Sequence, residues 1–303
     1  MKIQRSNLLL CFLTIALVWC IPTFAQKTKP TAKAPKSIIF AVLSDGTNLE
    51  PIGYIEKGKL ASPVNGSDDT NIVAAFNKTY YRAGSVYRLI FGGANSGTVT
   101  VKSSNANSDC SKNTANVLTK ANVTPMKGLI MGLATNGPSK STAKPFRRKP
   151  TATEKTEIDA LAKAEFTKQK LTPKVLRFQN LTALDVDSDG VAEFVGSYWV
   201  EIDKSTRGLL FFIASKGSNG KYSIGYQEYR SIDKGSVMSG EIKDVDDGVL
   251  HELLLDVYDY DGDGTAEIFT YTQSFEGAGF NAYRRSGGKW TRAYEFANYH
   301  CGY

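Results

Sequence analysis

Histidine is nearly missing from the 303 residues: His251 and His300 are the only two. Neither has a zinc-type companion nearby in the sequence. His251 lies in VLHELLLDV, at a position that strand alternation allows to face solvent. His300 stands next to Cys301 in ANYHCGY, and neighbouring residues of a strand point apart, which argues against a Cys–His nucleophile. No G-x-S-x-G elbow and no phosphate-binding loop occurs. Cysteine is also scarce, at Cys11, Cys20, Cys110 and Cys301. The sequence therefore predicts no enzyme on its own evidence, although it leaves that question open.

Only one long apolar run is present, LLLCFLTIALVWCI near the N-terminus, preceded by Lys2 and Arg5 and followed by TFA ending at Ala25. This pattern reads as a secretory signal peptide over residues 1–25, with no transmembrane segment after its cleavage. The expected localisation is secreted, periplasmic or extracellular. Cys11 and Cys20 leave with the signal. Two remaining cysteines in an oxidising compartment point to one disulfide, Cys110–Cys301, with two free thiols as the alternative.

Charge divides along the chain. From Gln26 to Lys174 there are 23 basic and 10 acidic residues, and from Val175 to Tyr303 there are 12 basic and 20 acidic. The basic half carries no recognition motif and belongs to an exported chain. No nucleic-acid partner is therefore expected, and anionic glycans, headgroups or plain solubility account better for the lysines.

A Lys/Pro/Ala/Thr-rich leader, QKTKPTAKAPK, covers 26–36. Strand-like runs SIIFAVL, PIGYI, SVYRLIF and GTVTVKS then alternate with turn clusters such as SDGTN and NGSDDTN, which predicts an N-terminal β domain over 37–136. A basic, Pro- and Ser-rich linker is expected over 137–152. One helix follows, from about Thr153 to Lys170. Thr151 and Glu154 hold capping-box spacing there, and Ile158, Leu161, Ala162, Glu165 and Phe166 fall near one face. Eight further strand-like runs complete a region spanning 153–303.

Within that region the chain repeats itself. DVDSDGVAE at 185–193 returns as DYDGDGTAE at 259–267, and each copy continues as a strand, an aromatic-rich strand, a Gly turn and another strand. Side chains at positions 1, 3 and 5 of such a loop converge, and glycine at position 6 permits the turn. Asp185, Asp187, Asp189 and Glu193, with the carbonyl of Val191, form one oxygen ligand set. Asp259, Asp261, Asp263 and Glu267, with the carbonyl of Thr265, form the other. All-oxygen, highly anionic sets suit Ca2+ better than magnesium or zinc, so two calcium sites are expected. An EF-hand needs a bidentate carboxylate at position 12, where this chain has Gly196 and Thr270, and strands rather than helices follow.

The two motifs resemble the calcium loops of integrin-α-like FG-GAP and VCBS repeats. That resemblance implies calcium held between strands of propeller-like blades, and hence a mainly β fold: an N-terminal β domain plus a C-terminal β-propeller-like repeat region with two calcium loops and one α-helix. Only two copies are visible, 74 residues apart, whereas a closed propeller needs about four to eight blades. The expected function is non-enzymatic adhesion or ligand binding at the cell envelope, with a glycan or an envelope protein as partner. The alternatives are an exported polysaccharide hydrolase using carboxylates such as Glu201, Asp203 or Glu228, and a structural envelope protein with a protein partner. A third acidic cluster, Asp244, Asp246 and Asp247, lacks the loop spacing and reads as a turn. Sequons stand at Asn65, Asn77, Asn122 and Asn180.

Overall fold

The computed structural model describes residues 35–122, 131–138 and 146–301. The expected signal peptide, most of the leader and part of the expected linker lie outside these residues. The fold is mainly β, as expected, and is built from three sheets and two substantial helices.

Six strands close into a barrel: β1 (Ser37–Leu43), β2 (Asn48–Glu56), β4 (Val86–Phe91), β5 (Ala94–Ser104), β6 (Ala115–Ala121) and β7 (Gly132–Thr135). They run in the order β1-β7-β4-β5-β6-β2, and β1–β2 pairing seals the ring while β3 (Lys59–Ala61) adds to β2. A barrel this small has room only for side chains. Ile38, Phe40, Val42, Leu89, Val99 and Val101 fill it. An unexpected helix, α1 (Thr70–Tyr80), contributes Phe76 and Tyr80 to the same core. Its start is the NGSDDTN cluster read above as a turn. Asp69 caps the helix by accepting from Asn71 N at 2.8 Å, and Val73, Phe76 and Tyr80 follow at helical spacing.

The repeat proves to be two antiparallel meanders of four strands. The first is β9 (Arg177–Leu184), β10 (Glu193–Asp203), β11 (Thr206–Lys216) and β12 (Tyr222–Asp233), extended at its edge by the two-residue β8 (Arg147–Arg148). The second is β13 (Glu252–Tyr258), β14 (Glu267–Gln273), β15 (Gly277–Ser286) and β16 (Lys289–Tyr299). In each, the acidic loop joins the first strand to the second. Helix α2 (Ala152–Lys168) carries the expected Thr151–Glu154 capping box and buries Ile158, Ala162 and Phe166 on the first sheet. A one-turn helix, α3 (Lys243–Asp246), occupies the third acidic cluster, where Asp246 pairs with Arg207 at 2.6 Å.

Strand alternation stacks these parts. On β1 the residues between the barrel-filling ones, Ile39, Ala41 and Leu43, face outward and meet Leu253, Leu255, Phe269 and Phe280 of the second meander. The opposite face of that meander sets Leu254, Ile268, Tyr283 and Trp290 against Val195, Phe211 and Ile213 of the first. The order is therefore helix, five-stranded sheet, four-stranded sheet, barrel, and the four-stranded sheet is buried on both sides. The described residues, all from Pro35 onward, form one compact unit. The expected division at 137–152 is not a break in the core, because β1, at the start of the supposed first domain, shares a cluster with β13–β15 of the second. Arg147, expected in a basic linker, has its side chain buried and paired with Asp256 at 2.8 Å.

Two meanders do not make a ring, and no closed propeller occurs among the described residues. Gly196 sits opposite Phe212, whose ring would come within 2.4 Å of any Cβ there. Thr270 donates to buried Glu252 at 2.6 Å. Both twelfth positions thus serve the core rather than the loops.

The chain end is fastened to the barrel. Cys110 and Cys301 form the expected disulfide, with Cα atoms 5.1 Å apart. Nearby, Asn298 donates to Glu50 at 2.7 Å, His300 Nε2 lies 2.7 Å from the same carboxylate, and Asn65 donates to Ala297 O.

Candidate metal centre

Each acidic loop is shaped by its own amides. Asp185 accepts from Asp189 N at 3.2 Å and Gly190 N at 3.0 Å, while Asp259 accepts from Gly262 N at 2.6 Å and Gly264 N at 3.1 Å. Positions 4 and 6 are left-handed in both copies: Ser188 φ 60° and Gly190 φ 81°, then Gly262 φ 79° and Gly264 φ 94°. The glycines at position 6 meet no atom that a Cβ would strike. Their backbone conformation, not space, requires them.

Asp185, Asp187 and Glu193 bring carboxylate oxygens within 4.8 Å of one another, and so do Asp259, Asp261 and Glu267. Either trio could hold a metal ion. Asp189 and Asp263 lie outside these trios. They turn back at the exposed apex to accept from Val191 N at 2.7 Å and Thr265 N at 2.8 Å. The convergent set is thus smaller than the sequence pattern implied, because position 5 closes a local turn.

Two arginines that the sequence reading missed complete the geometry. Arg285 on β15 reaches across to the first loop, touching Asp187 and meeting Glu193 Oε1 at 3.0 Å. Its neighbour Arg284 touches Asp261 and meets Glu267 Oε1 at 2.9 Å in the second loop. The available signal was a break in the repeat: the second copy reads RRS before its Gly turn where the first reads IAS.

The cluster is not fully satisfied by these partners. Glu267 is buried, and its Oε2 has no hydrogen-bond partner; Asp187 Oδ1 is likewise enclosed and unpaired. Burial pushes the carboxyls of Glu193 and Glu267 up to about 7. Arg285 and Arg284 oppose that rise, and the neighbouring aspartates add to it. Orphaned oxygens in both loops, in all-oxygen surroundings, fit a hard cation.

The groups nominated for chemistry are engaged elsewhere. Glu201 faces Arg177 at 3.6 Å, Asp203 accepts from Ser205 N at 2.8 Å, and Glu228 pairs with Arg292. His251 is not at the solvent-facing position expected of it. It is buried at the seam between the meanders, 3.4 Å from Ser197 Oγ, and its Nε2 has no partner that would orient it as a base. Tyr198, Phe212, Tyr283 and Trp290 are core residues. The sequon asparagines Asn65 and Asn77 donate through Nδ2 to Ala297 O and Lys112 O, and Asn77 is buried. An open cleft of about 520 Å³ lies beside α1, lined by Ala74, Asn77, Lys78, Tyr81, Arg82 and Ser104.

The two histidines bend stability in opposite directions with pH. Burial holds His251 neutral, down to about 4, so protonation of the unfolded chain below pH 6.5 costs stability progressively toward pH 4. Burial also disfavours charge on His300, but the hydrogen bond and charge of Glu50 outweigh it and raise its pKa above 6.5. The stability it supplies is complete below pH 6.5 and fades as pH rises through the raised value. Urea midpoints across pH 4–9 should show His251→Gln flattening the acid limb and His300→Gln the alkaline one; unaltered limbs would refute the assignment.

No known protein family, curated protein or solved structure matches the chain. The class defined by fold and site is a closed β-barrel stacked on two meander sheets, each with an acidic loop able to hold a cation. No helix among the described residues is long and apolar enough to cross a membrane.

Proposed function

We propose that the protein is an exported, calcium-binding β-repeat protein that acts by binding rather than by catalysis, as an adhesion or ligand-binding component of the cell envelope. The carrying observation is the same loop built twice, at 185–193 and 259–267, each with convergent carboxylates and an enclosed carboxylate oxygen left without a partner. Asp185, Asp187 and Glu193 would hold one ion, and Asp259, Asp261 and Glu267 the other. Calcium would neutralise carboxylates that burial otherwise makes costly to ionise, and would tie the first strand of each meander to the second. The likeness of these loops to FG-GAP and VCBS repeats, and the face-to-face packing of the meanders, support a two-blade, propeller-like module. The cleft beside α1, rimmed by Lys78 and Arg82, supports a ligand-binding role and is compatible with an anionic glycan.

Calcium titration by calorimetry tests this directly, and two sites are expected. Extracellular modules bind with Kd of about 0.1–1 mM. At about 1 mM free calcium and the tighter limit, each site adds about 1.4 kcal/mol. Chelation should therefore lower the melting temperature by several degrees, and Asp187→Ala combined with Asp261→Ala should abolish that response. A melting curve indifferent to both calcium and chelator would reject the reading. Binding on a glycan array without release of reducing sugar would separate a binding role from hydrolysis.

A further inference from the structure

The arginine pair on β15 has no counterpart in the first repeat, yet it serves both loops. Successive residues of a strand point to opposite faces. Arg284 is thereby directed to the loop of its own meander and Arg285 to the loop of the neighbouring one. Each guanidinium engages two carboxylates of its loop and leaves other oxygens alone. In the first loop Arg285 takes Asp187 Oδ2 and Glu193 Oε1, while Asp187 Oδ1 stays unpaired. In the second Arg284 takes Asp261 Oδ2 and Glu267 Oε1, while Glu267 Oε2 stays unpaired. Aromatic rings hold the guanidinium groups in place, Tyr260 at 5.7 Å from Arg284 and Trp290 at 5.8 Å from Arg285.

We infer that Arg284 and Arg285 are positioning residues for the two cation sites: each fixes the outer oxygens of a carboxylate pair so that the inner oxygens converge on the ion. This rests on the calcium reading above and adds the device that preforms both sites from one strand. Three convergent carboxylates share one arginine in each loop, and an enclosed carboxylate oxygen is left over, so the clamp leaves an acceptor for a divalent cation. Residues that orient metal ligands from behind typically affect affinity by about 10- to 100-fold. An arginine fork suits this work better than a lysine, whose single charge cannot hold two carboxylates in a fixed plane.

The test is calcium calorimetry on the mature chain, with Asp187→Asn and Asp261→Asn marking which heat belongs to which loop. Arg285→Met should weaken the first loop by about 10- to 100-fold and leave the second within about twofold, and Arg284→Met should do the reverse. Arg285→Lys and Arg284→Lys, which keep the charge and guard against misfolding, should recover part of the loss at the same loop only. A purely structural role would shift melting without this loop-by-loop split. Two sites in the parent chain with unchanged or tighter binding in the arginine variants would overturn the inference alone, since the arginines would then be bystanders or competitors. No calcium binding in the parent chain would overturn the calcium reading and this inference with it.

Discussion

Asp256→Ala should cost about 3–5 kcal/mol of folding stability, the usual effect of removing one partner from a buried ion pair. Asp256 is fully buried and holds more than a single contact. Its Oδ2 accepts from Arg147 Nη1 at 2.8 Å and Gly92 N at 3.0 Å, and its Oδ1 accepts from Gly93 N at 2.9 Å and Val257 N at 2.7 Å. The same Arg147 nitrogen also donates to Met131 O and Leu255 O. This node is where the β4–β5 turn of the barrel, the edge strand β8 and the first strand of the second meander meet. Alanine would deprive the Arg147 guanidinium of its counter-ion and the two turn amides of their acceptor. The double variant Arg147→Met/Asp256→Leu should recover only the share of the loss due to the uncompensated guanidinium, because the amides of Gly92 and Gly93 still lack an acceptor. Urea unfolding of the parent, Arg147→Met, Asp256→Leu and the double variant forms a cycle, and a loss below about 1 kcal/mol in Asp256→Ala would show that the node does not join the layers.

That node also shows where sequence reading ran out. The strands flanking the repeats were legible because alternation, aromatic content and turn clusters all agreed: VAEFVGSYWVEI became β10, and TAEIFTYTQS became β14. Helix α2 was legible because its cap and apolar face agreed as well. Helix α1 was not, since the DDTN segment that caps it is also good turn chemistry. Short edge elements such as β3 and β8 have too few residues to show a period. The stacking of barrel on meander was hidden for a different reason. Ile39, Ala41 and Leu43 alternate with Ile38, Phe40 and Val42, so β1 reads as one apolar run, and such a run says that both faces are covered but not by what. At the candidate site, the spacing of Asp185, Asp187 and Glu193 revealed their convergence, because it is local. The arginines were invisible to that logic, because Arg285 lies 98 residues from Asp187 in the chain. His251 was misplaced because it immediately precedes β13, a strand covered on both faces, so alternation there chooses between two interiors rather than between core and water.

Reduction of the disulfide, or Cys110→Ser combined with Cys301→Ser, should be comparable in size to the loss of Asp256. The bridge closes a loop of sequence separation 191, for which the chain-entropy model gives about 5 kcal/mol as an upper figure. The native contacts around the bridge decide how much of that figure is realised. Asn113 Nδ2 donates to Asn298 Oδ1 at 2.7 Å, Asn298 donates to Glu50, and Gly66 N donates to Asn298 Oδ1 at 3.0 Å. The last strand is therefore latched to the barrel by a buried polar network as well as by sulfur, and the folded state keeps its geometry when the bridge opens. Such a pattern places the effect in the unfolded chain: equilibrium stability falls while the native structure is retained. The expected result is a lower urea midpoint for the reduced protein, with near-UV circular dichroism before the transition unaltered. If the denaturant slope also rises, the reduced unfolded chain is more expanded, as the entropic account requires. Loss of the native signal on reduction in the absence of denaturant would instead show that the latch cannot hold the C-terminal strand without the covalent bond.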